Sequence, residues 1–134
     1  MTTKLLTGIA VAVCVTLGVG WLWGASGKSS VELARQGLEE RLDLSEARRA
    51  MLDGRVSLFL VNFGDASRHF DEARGFIEHA QLRWRETGQA ERAGRLEVVL
   101  AHARDAQRLA AALDAGAQTA ADAALQALTA IEKH

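Results

Sequence analysis

Residues 62–84, NFGDASRHFDEARGFIEHAQLRW, decide the fold class of this chain. Small and large apolar residues recur in this stretch at steps of four and three, which places them on one face of an α-helix. They are Ala66, Phe70, Ala73, Ile77, Ala80 and Trp84. The small side chains let a second helix come close, and the large ones fill the gaps between its turns. The stretch therefore predicts a helix that packs tightly against a neighbour.

The residues before this stretch carry a matching face. It consists of Ala47, Met51, Gly54, Leu58 and Val61. Between the two faces, residues 62–65 are typical of a tight turn, because Asn and Gly tolerate left-handed backbone and Asp65 can cap the next helix. Near its end the helix before the turn is apolar nearly all round, at Val56, Leu58, Phe59, Leu60 and Val61, so we expect the 45–61 helix to be the most buried in the domain. The two helices should form an antiparallel hairpin.

A second hairpin is predicted downstream. One stripe comprises Leu96, Val99, Ala103, Ala106, Ala110 and Leu113, and its partner comprises Ala117, Ala121, Ala124, Leu128 and Ile131. Gly88 and Gly116 are expected to end the two helices before them. The helices are therefore predicted near residues 30–42, 45–61, 65–86, 90–114 and 117–133. With 25 alanines, no proline and no alternating pattern that suggests a strand, an all-α fold is expected.

Part of the first hairpin resembles a tetratricopeptide (TPR) repeat. The matching residues are Gly54, the turn Asn62-Phe63, Ala66, Phe70 and Ala73. Gly54 and Ala66 are twelve residues apart, and Phe70 and Ala73 follow after four and three more. A second copy would begin near Trp84 and Gly88, but it departs from the pattern at Leu100, Arg104 and Gln107. The resemblance covers residues 47–80 and implies a TPR-like stack of hairpins, a scaffold that binds peptides or proteins and carries no catalytic residues.

The first residues of the chain have a different character. Residues 5–23 are apolar except for Thr7 and Thr16, and as a helix they would span about 28 Å, close to the hydrocarbon thickness of a bilayer. Lys4 precedes the run, and two tryptophans lie at its far end. We expect a transmembrane signal-anchor at 1–24, a flexible hinge at 25–29 and a helical domain at 30–134. Cleavage after the small residues 25–27 is the open alternative.

The anchor also indicates its surroundings. Gly8, Ala12, Thr16 and Gly20 are small and four apart, a spacing that favours pairing with another membrane helix, although a purely lipid-facing anchor fits too. The lipid bilayer and membrane proteins are thus the expected partners. The preference for arginine over lysine, 13 against 3, beside abundant alanine indicates a bacterial source and hence the inner (cytoplasmic) membrane. The short positive N-terminus before the apolar run favours an extracytoplasmic domain. Counting charges on both sides of the anchor favours a cytoplasmic domain instead.

The sequence offers little chemistry. A net charge of -1 argues against a nucleic-acid partner, and no phosphate loop, paired-cysteine site or nucleophile motif is present. We therefore expect no enzyme activity and no cofactor. His69 with Glu72, and His102 with Asp105, are three apart. They are expected to be surface histidines, because the order is the reverse of the Glu-x-x-His of di-iron bundles.

Two groups of residues are candidates for partner binding. Arg83, Arg85, Arg92 and Arg95 surround Gly88 among acidic residues, which indicates either a patch for anionic partners or an exposed surface of ion pairs. Phe76 and Leu82 lie off the apolar stripe, so they either pack against the 30–42 helix or line a surface groove. Trp84 is expected in the core.

Two functions follow from these expectations. The first is a single-pass membrane-anchored adaptor, or an accessory subunit of a membrane complex, that works through protein–protein interaction. The alternative is an exported, signal-cleaved helical bundle that binds a metal or a small ligand through His69, Glu72, His79 or His102.

Overall fold

The computed structural model describes the backbone of residues 2–133 and the side chains of residues 31–133. Four α-helices follow one another: α1 (Thr2–Phe59), α2 (Phe63–Glu86), α3 (Ala90–Ala111) and α4 (Gly116–Glu132). No strand occurs among residues 2–133. The expectation of an all-α fold is confirmed.

The first helix is longer than the sequence predicts. We expected one helix to end near residue 42 and another to begin at 45, because Asp43 and Glu46 have the spacing of a capping box, and this prediction is wrong. The Ser45 hydroxyl donates a hydrogen bond of 2.8 Å back to the carbonyl of Leu42, and the Asp43 carboxylate accepts one from Arg83. Neither side chain caps a new helix, and the backbone continues as α1.

Residues 2–29 of the predicted anchor (1–24) and hinge (25–29) lie within the range of α1, but the side chains of both segments are outside those that the structure describes. No helix is long and apolar enough to cross a membrane among the residues that are described. By its internal contacts the chain divides into two compact units, Met1–Leu38 and Glu39–His134. The predicted division at residue 29 stays a prediction.

Within the second unit, consecutive helices run antiparallel. Gly54 of α1 faces the ring of Phe70 in α2, while Arg83, near the other end of α2, bonds to Glu39 of α1. The last helix returns to the first, because Arg55 Nε lies 2.7 Å from Asp122 Oδ1 in α4. The α1–α2 and α3–α4 turns therefore lie at the same end of this unit.

A single core joins the four helices. The stripe predicted on α2 is fully buried, as is every predicted stripe residue of α3 except Leu113, and the α4 stripe is at most 8% exposed. Ala47, Met51 and Gly54 of α1 are buried as predicted. The residues of this core are Leu44, Ala47, Ala50, Met51, Ala66, Phe70, Ala73, Ile77, Ala80, Trp84, Ala93, Leu96, Val99, Leu100, Ala103, Ala106, Ala110, Ala117, Ala121, Ala124, Leu128 and Ile131.

The end of α1 contradicts the sequence analysis. We expected the 45–61 helix to be the most buried because of its apolar end, yet at that end Phe59 is 86% exposed and Val61 74% exposed, and Leu113 just after α3 is 71% exposed. Helical periodicity continues through these residues in the sequence, but the helices stop and turn there. No neighbouring helix extends past the turns to cover them within the described residues.

Two predicted helix boundaries also change. Gly88 ends α2 in the left-handed conformation (φ 76°), as expected, whereas Gly116 is the first residue of α4 rather than the end of α3. The cap of α2 is Asn62, not Asp65, because the Asn62 side-chain oxygen accepts a hydrogen bond of 3.3 Å from the Asp65 backbone N–H.

Candidate protein-interaction surface

Exposed apolar side chains lie in or beside the α1–α2 and α3–α4 turns, at one end of the helical unit. We call this group the turn-end surface and define it by four residues: Phe59, Leu60, Val61 and Leu113. Each of them is at least 69% exposed. Large apolar side chains exposed to water are unfavourable, and where several of them share one end of a domain they are candidates for contact with another molecule.

The α1–α2 turn holds its apolar residue in an unfavourable backbone conformation. The N–H of Asn62 donates to the carbonyl of Ser57 (2.8 Å), and the N–H of Val61 donates to that of Leu58 (2.9 Å). These two hydrogen bonds form a Schellman motif, whose penultimate position requires left-handed backbone and is usually glycine. Here it is Val61, at φ 59°, and a β-branched residue in this region is strained.

The α3–α4 turn repeats this arrangement. Asp114 donates its N–H to the carbonyl of Leu109 (2.9 Å), and Leu113 donates to that of Ala110 (3.0 Å). Leu113 is left-handed at φ 57°. Only Gly88, in the α2–α3 turn at the other end of the unit, meets the requirement with a glycine among the described residues. Both turns of one end thus carry an exposed large apolar residue where glycine would be less strained.

Polar groups border this surface. Asn62 and Asp65 hydrogen-bond at the start of α2, and the Arg55–Asp122 ion pair joins α1 to α4. An apolar patch with a polar border is the usual composition of a protein interface, in which the apolar centre is buried and the border stays hydrated. The arrangement suits the binding of an apolar segment of another protein.

The structure separates the two apolar residues that the sequence grouped together. Phe76 is partly buried against the core, whereas Leu82 is 56% exposed. Leu82 lines an open depression of about 310 Å³ together with His79, Arg83 and Glu86. The surface-groove interpretation fits Leu82, whereas Phe76 packs against the common core, and packing against the 30–42 helix stays a prediction.

The four arginines around Gly88 are engaged in ion pairs. Arg83 bonds to Glu39 and, at 3.1 Å, to Asp43, while Arg85 lies 3.1 Å from Glu97. Arg92 lies 3.7 Å from Glu40 and Arg95 lies 2.8 Å from Glu91. Each of these guanidinium groups already has a carboxylate within reach. The region is therefore a surface of ion pairs rather than a free binding site for anions.

Trp84 is completely buried, as expected, and the Arg92 guanidinium stacks over its ring at 4.3 Å from the centroid. His69 Nδ1 lies 3.4 Å from Glu72 Oε2, so one predicted pair does meet. Among the described residues, no group of three or more His, Cys, Asp or Glu side chains could hold a metal ion. Gly8, Ala12, Thr16 and Gly20 lie outside the described side chains.

Comparison with known proteins adds no relative. No protein-family model matches the chain, and neither a curated protein nor a solved structure is significantly similar to it.

Sequence reasoning missed the turn-end surface because Phe59, Leu60 and Val61 continue the apolar pattern of a buried helix. One signal was available in the sequence. Asn62 is a strong cap, so the preceding helix had to end before it, and the residues at that end were candidates for exposure.

Proposed function

We propose that this chain is a membrane-anchored helical adaptor, or an accessory subunit of a membrane complex, that binds a partner protein through its turn-end surface. The observation that supports this proposal best is the pair of left-handed residues Val61 and Leu113, exposed and apolar at one end of the unit. Left-handed backbone costs an ordinary residue about 1–2 kcal/mol. Glycine or asparagine would avoid that strain and the exposure of apolar surface.

Retained strain of this kind clusters at functional sites, where the unfavourable group is used in binding. A partner that covered Val61 and Leu113 would remove their apolar surface from water. Burial of one such side chain contributes about 1.5–3 kcal/mol, which is enough to offset the strain in the complex. Catalysis would require acid–base or nucleophilic groups, and the turn-end surface is apolar.

Two further features bear on the type of scaffold. Gly54 lies against the Phe70 ring, and Ala66 and Ala73 are fully buried, so these residues of the TPR resemblance all lie where two helices meet closely. The α1–α4 ion pair between Arg55 and Asp122 is not a feature that an open stack of hairpins requires. We propose a TPR-like first hairpin within a helical unit that is closed by α4.

The membrane part of the proposal rests on the sequence of residues 1–24, which are long and apolar enough for one span. Under the proposal the anchor lies in a bacterial inner membrane and the helical domain is extracytoplasmic. Gly8, Ala12, Thr16 and Gly20 then face a membrane helix of the complex, and Leu82 beside the ion-paired Arg83, Arg85 and Arg92 offers a secondary, polar contact on the domain.

The test is affinity purification of the tagged full chain from its native membranes, with mass spectrometry of the retained proteins. The Leu60→Ser variant removes a side chain that is 69% exposed on the turn-end surface, and Val98→Ser on α3 is the matched control, at 55% exposure. We expect stoichiometric partners with the parent chain and with Val98→Ser, and their loss with Leu60→Ser. Identical partner sets in all three samples would refute the role of the turn-end surface.

The intact mass of the purified chain tests the anchor against the alternative. An uncleaved chain that resists carbonate extraction fits the proposal, whereas loss of the first 24–27 residues would support the exported bundle. In that case metal analysis of the mature domain, with His69→Ala as the comparison, decides whether a histidine site exists.

A further inference from the structure

The outer face of α1 carries a second stripe of residues, three of the five apolar, that the core does not use. Its positions within the second unit are 42, 45, 49, 52 and 56, alternately three and four residues apart, and they hold Leu42, Ser45, Arg49, Leu52 and Val56. All five are exposed. The three apolar members are 43–57% exposed, and Phe59 continues the spacing into the turn-end surface. We call these five positions the outer stripe.

Alternating steps of three and four are the heptad spacing of a coiled coil. In a heptad labelled a to g, residues 42, 49 and 56 occupy position a, and residues 45 and 52 occupy position d. The core-facing residues Ala47, Met51 and Gly54 lie on the opposite side of the same helix. The outer stripe is therefore a separate face with the geometry for a second helix.

The flanks of the outer stripe are sorted by charge. On one flank, the e positions hold Glu39, Glu46 and Asp53; on the other, the g positions hold Arg41, Arg48 and Arg55. Thus one row is entirely acidic and the other is entirely basic, with members seven residues apart. In coiled coils, the charges at e and g determine which helix pairs with which and in what orientation.

This sorting selects both the occupant and its orientation. In a parallel pair, each g residue faces the e residue of the following heptad on the partner, so Arg41 would face Glu46 and Arg48 would face Asp53. In an antiparallel pair, e would face e and g would face g, which opposes like charges along both flanks. We infer that the outer stripe binds a second copy of this chain as a parallel, in-register pair of α1 helices.

The polar members of the outer stripe are compatible with this pair. Arg49 lies 3.8 Å from Glu46 and 3.9 Å from Asp53, so its charge is offset by the acidic flank when two copies approach. A polar residue at heptad position a lowers the stability of a coiled coil but fixes its register. The side chains of Arg48 and Arg55 are only about one-third exposed and already form ion pairs with carboxylates of α4, which leaves Arg41 and Glu46 as the principal pair between copies.

A parallel pair would also affect the proposed function, although the inference of a parallel pair does not rest on that function. Both turn-end surfaces would lie at the same end of the dimer, side by side. A partner with two binding segments would then gain affinity from simultaneous engagement of both copies.

Disulfide cross-linking in whole cells tests the inference on the full chain, wherever the chain is located. In a Cys14→Ser background, Val56→Cys places one thiol on the outer stripe, and Val98→Cys on α3 is a control of equal residue type and nearly equal exposure (57% and 55%). We expect oxidation to give a covalent dimer with Val56→Cys and none with Val98→Cys. Equal yields from the two variants would overturn the inference.

Orientation is tested with mixed variants. Cells that produce differently tagged Leu42→Cys and Leu52→Cys chains would give a cross-link between the two tags if the helices were antiparallel. A parallel pair gives only cross-links between identical tags, because positions 42 and 52 lie about 15 Å apart along the helices. A dimer with mixed tags would overturn the parallel arrangement.

A charge exchange tests the register. Arg41→Glu places a carboxylate against Glu46 of the other copy, and we expect the Val56→Cys cross-link to fall about fivefold. Combining Arg41→Glu with Glu46→Arg restores opposite charges and should restore the yield. A double variant that remained as weak as Arg41→Glu would refute the proposed register. The cross-link reports only on the pairing of two copies. Its absence would therefore leave the proposed partner binding to be decided by affinity purification, and a failed purification would not contradict the pairing.

Discussion

Replacement of Gly54 by alanine should destabilise the helical unit, although alanine is the better helix former. A Cβ atom on Gly54 would lie 2.8 Å from Cδ1 and 2.9 Å from Cζ of Phe70. These distances are well inside van der Waals contact, which for carbon pairs begins near 3.5 Å. The Phe70 ring is fully buried, so it can move only by displacing the neighbours that enclose it.

Two opposing effects determine the magnitude. Overpacking of a well-packed core costs about 1–3 kcal/mol. Alanine in place of glycine within a helix contributes up to about 1 kcal/mol in the other direction, through helix propensity and a less flexible unfolded chain. Because the clash is with a rigid ring, the first effect should win, and we expect Gly54→Ala to lower the free energy of unfolding by about 1–2 kcal/mol.

The assay is urea unfolding of the full chain in mild detergent, followed by circular dichroism at 222 nm. Gly75→Ala in α2 and Gly94→Ala in α3 are matched controls, because a Cβ atom at either position meets nothing within 4 Å. They should raise the free energy of unfolding by about 0.5–1 kcal/mol. The sign of the change therefore differs between Gly54 and the two controls.

A double-mutant cycle completes the test. Phe70→Leu removes the ring atoms that the new Cβ atom would meet, at the cost of a cavity. Gly54→Ala should therefore be less harmful in the Phe70→Leu background than alone, with a coupling energy of about 1 kcal/mol. Additive effects, or a stabilising Gly54→Ala, would refute the close approach of α1 and α2 at this point.

Three further predictions concern helix ends and the last helix. Val61→Gly should raise the free energy of unfolding by about 1 kcal/mol. Glycine removes left-handed strain of about 1–2 kcal/mol from the folded state, but part of this gain is cancelled because glycine makes the unfolded chain more flexible. An unchanged urea midpoint would contradict this prediction. Asn62→Ala should lower it by about 1 kcal/mol through loss of the α2 cap, and Asn62→Asp should retain most of the stability, since aspartate also caps well. Amides of α4 should exchange with solvent faster than those of residues 44–58, because α4, with 17 residues, is the shortest of the four described helices and three of its five buried side chains are alanines. Equal protection in hydrogen-exchange mass spectrometry would show that α4 is no weaker than the rest of the unit.

The sequence alone was sufficient for the helical class and for the buried face of α2. Proline is absent and alanine abundant, and the alternation from Ala66 to Trp84 has the period of a helix, so both follow from local geometry. Gly88 was equally readable, because a left-handed helix end needs a residue without a Cβ atom. The hairpin pairing also followed, since two complementary faces were joined by a short turn.

The candidate site was less predictable, because exposure depends on where neighbouring helices end. The period of an apolar pattern tells which residues share a face, but Phe59, Leu60 and Val61 lost their cover when α1 stopped at the turn. Leu113 lost its cover in the same way at the end of α3. Left-handed Val61 and Leu113 could not be foreseen, because the hydrogen bonds of the Schellman motif override the preference of a single residue.

Long-range pairing was likewise decided only by the tertiary structure. Asp43 has the sequence signature of a helix cap, yet its carboxylate accepts a hydrogen bond from Arg83, 40 residues away. The helix α1 therefore continues without a break. Sequence spacing specifies what a side chain can do locally. Which of those options it adopts depends on the charges and apolar surfaces that folding brings beside it, and these come from distant parts of the chain.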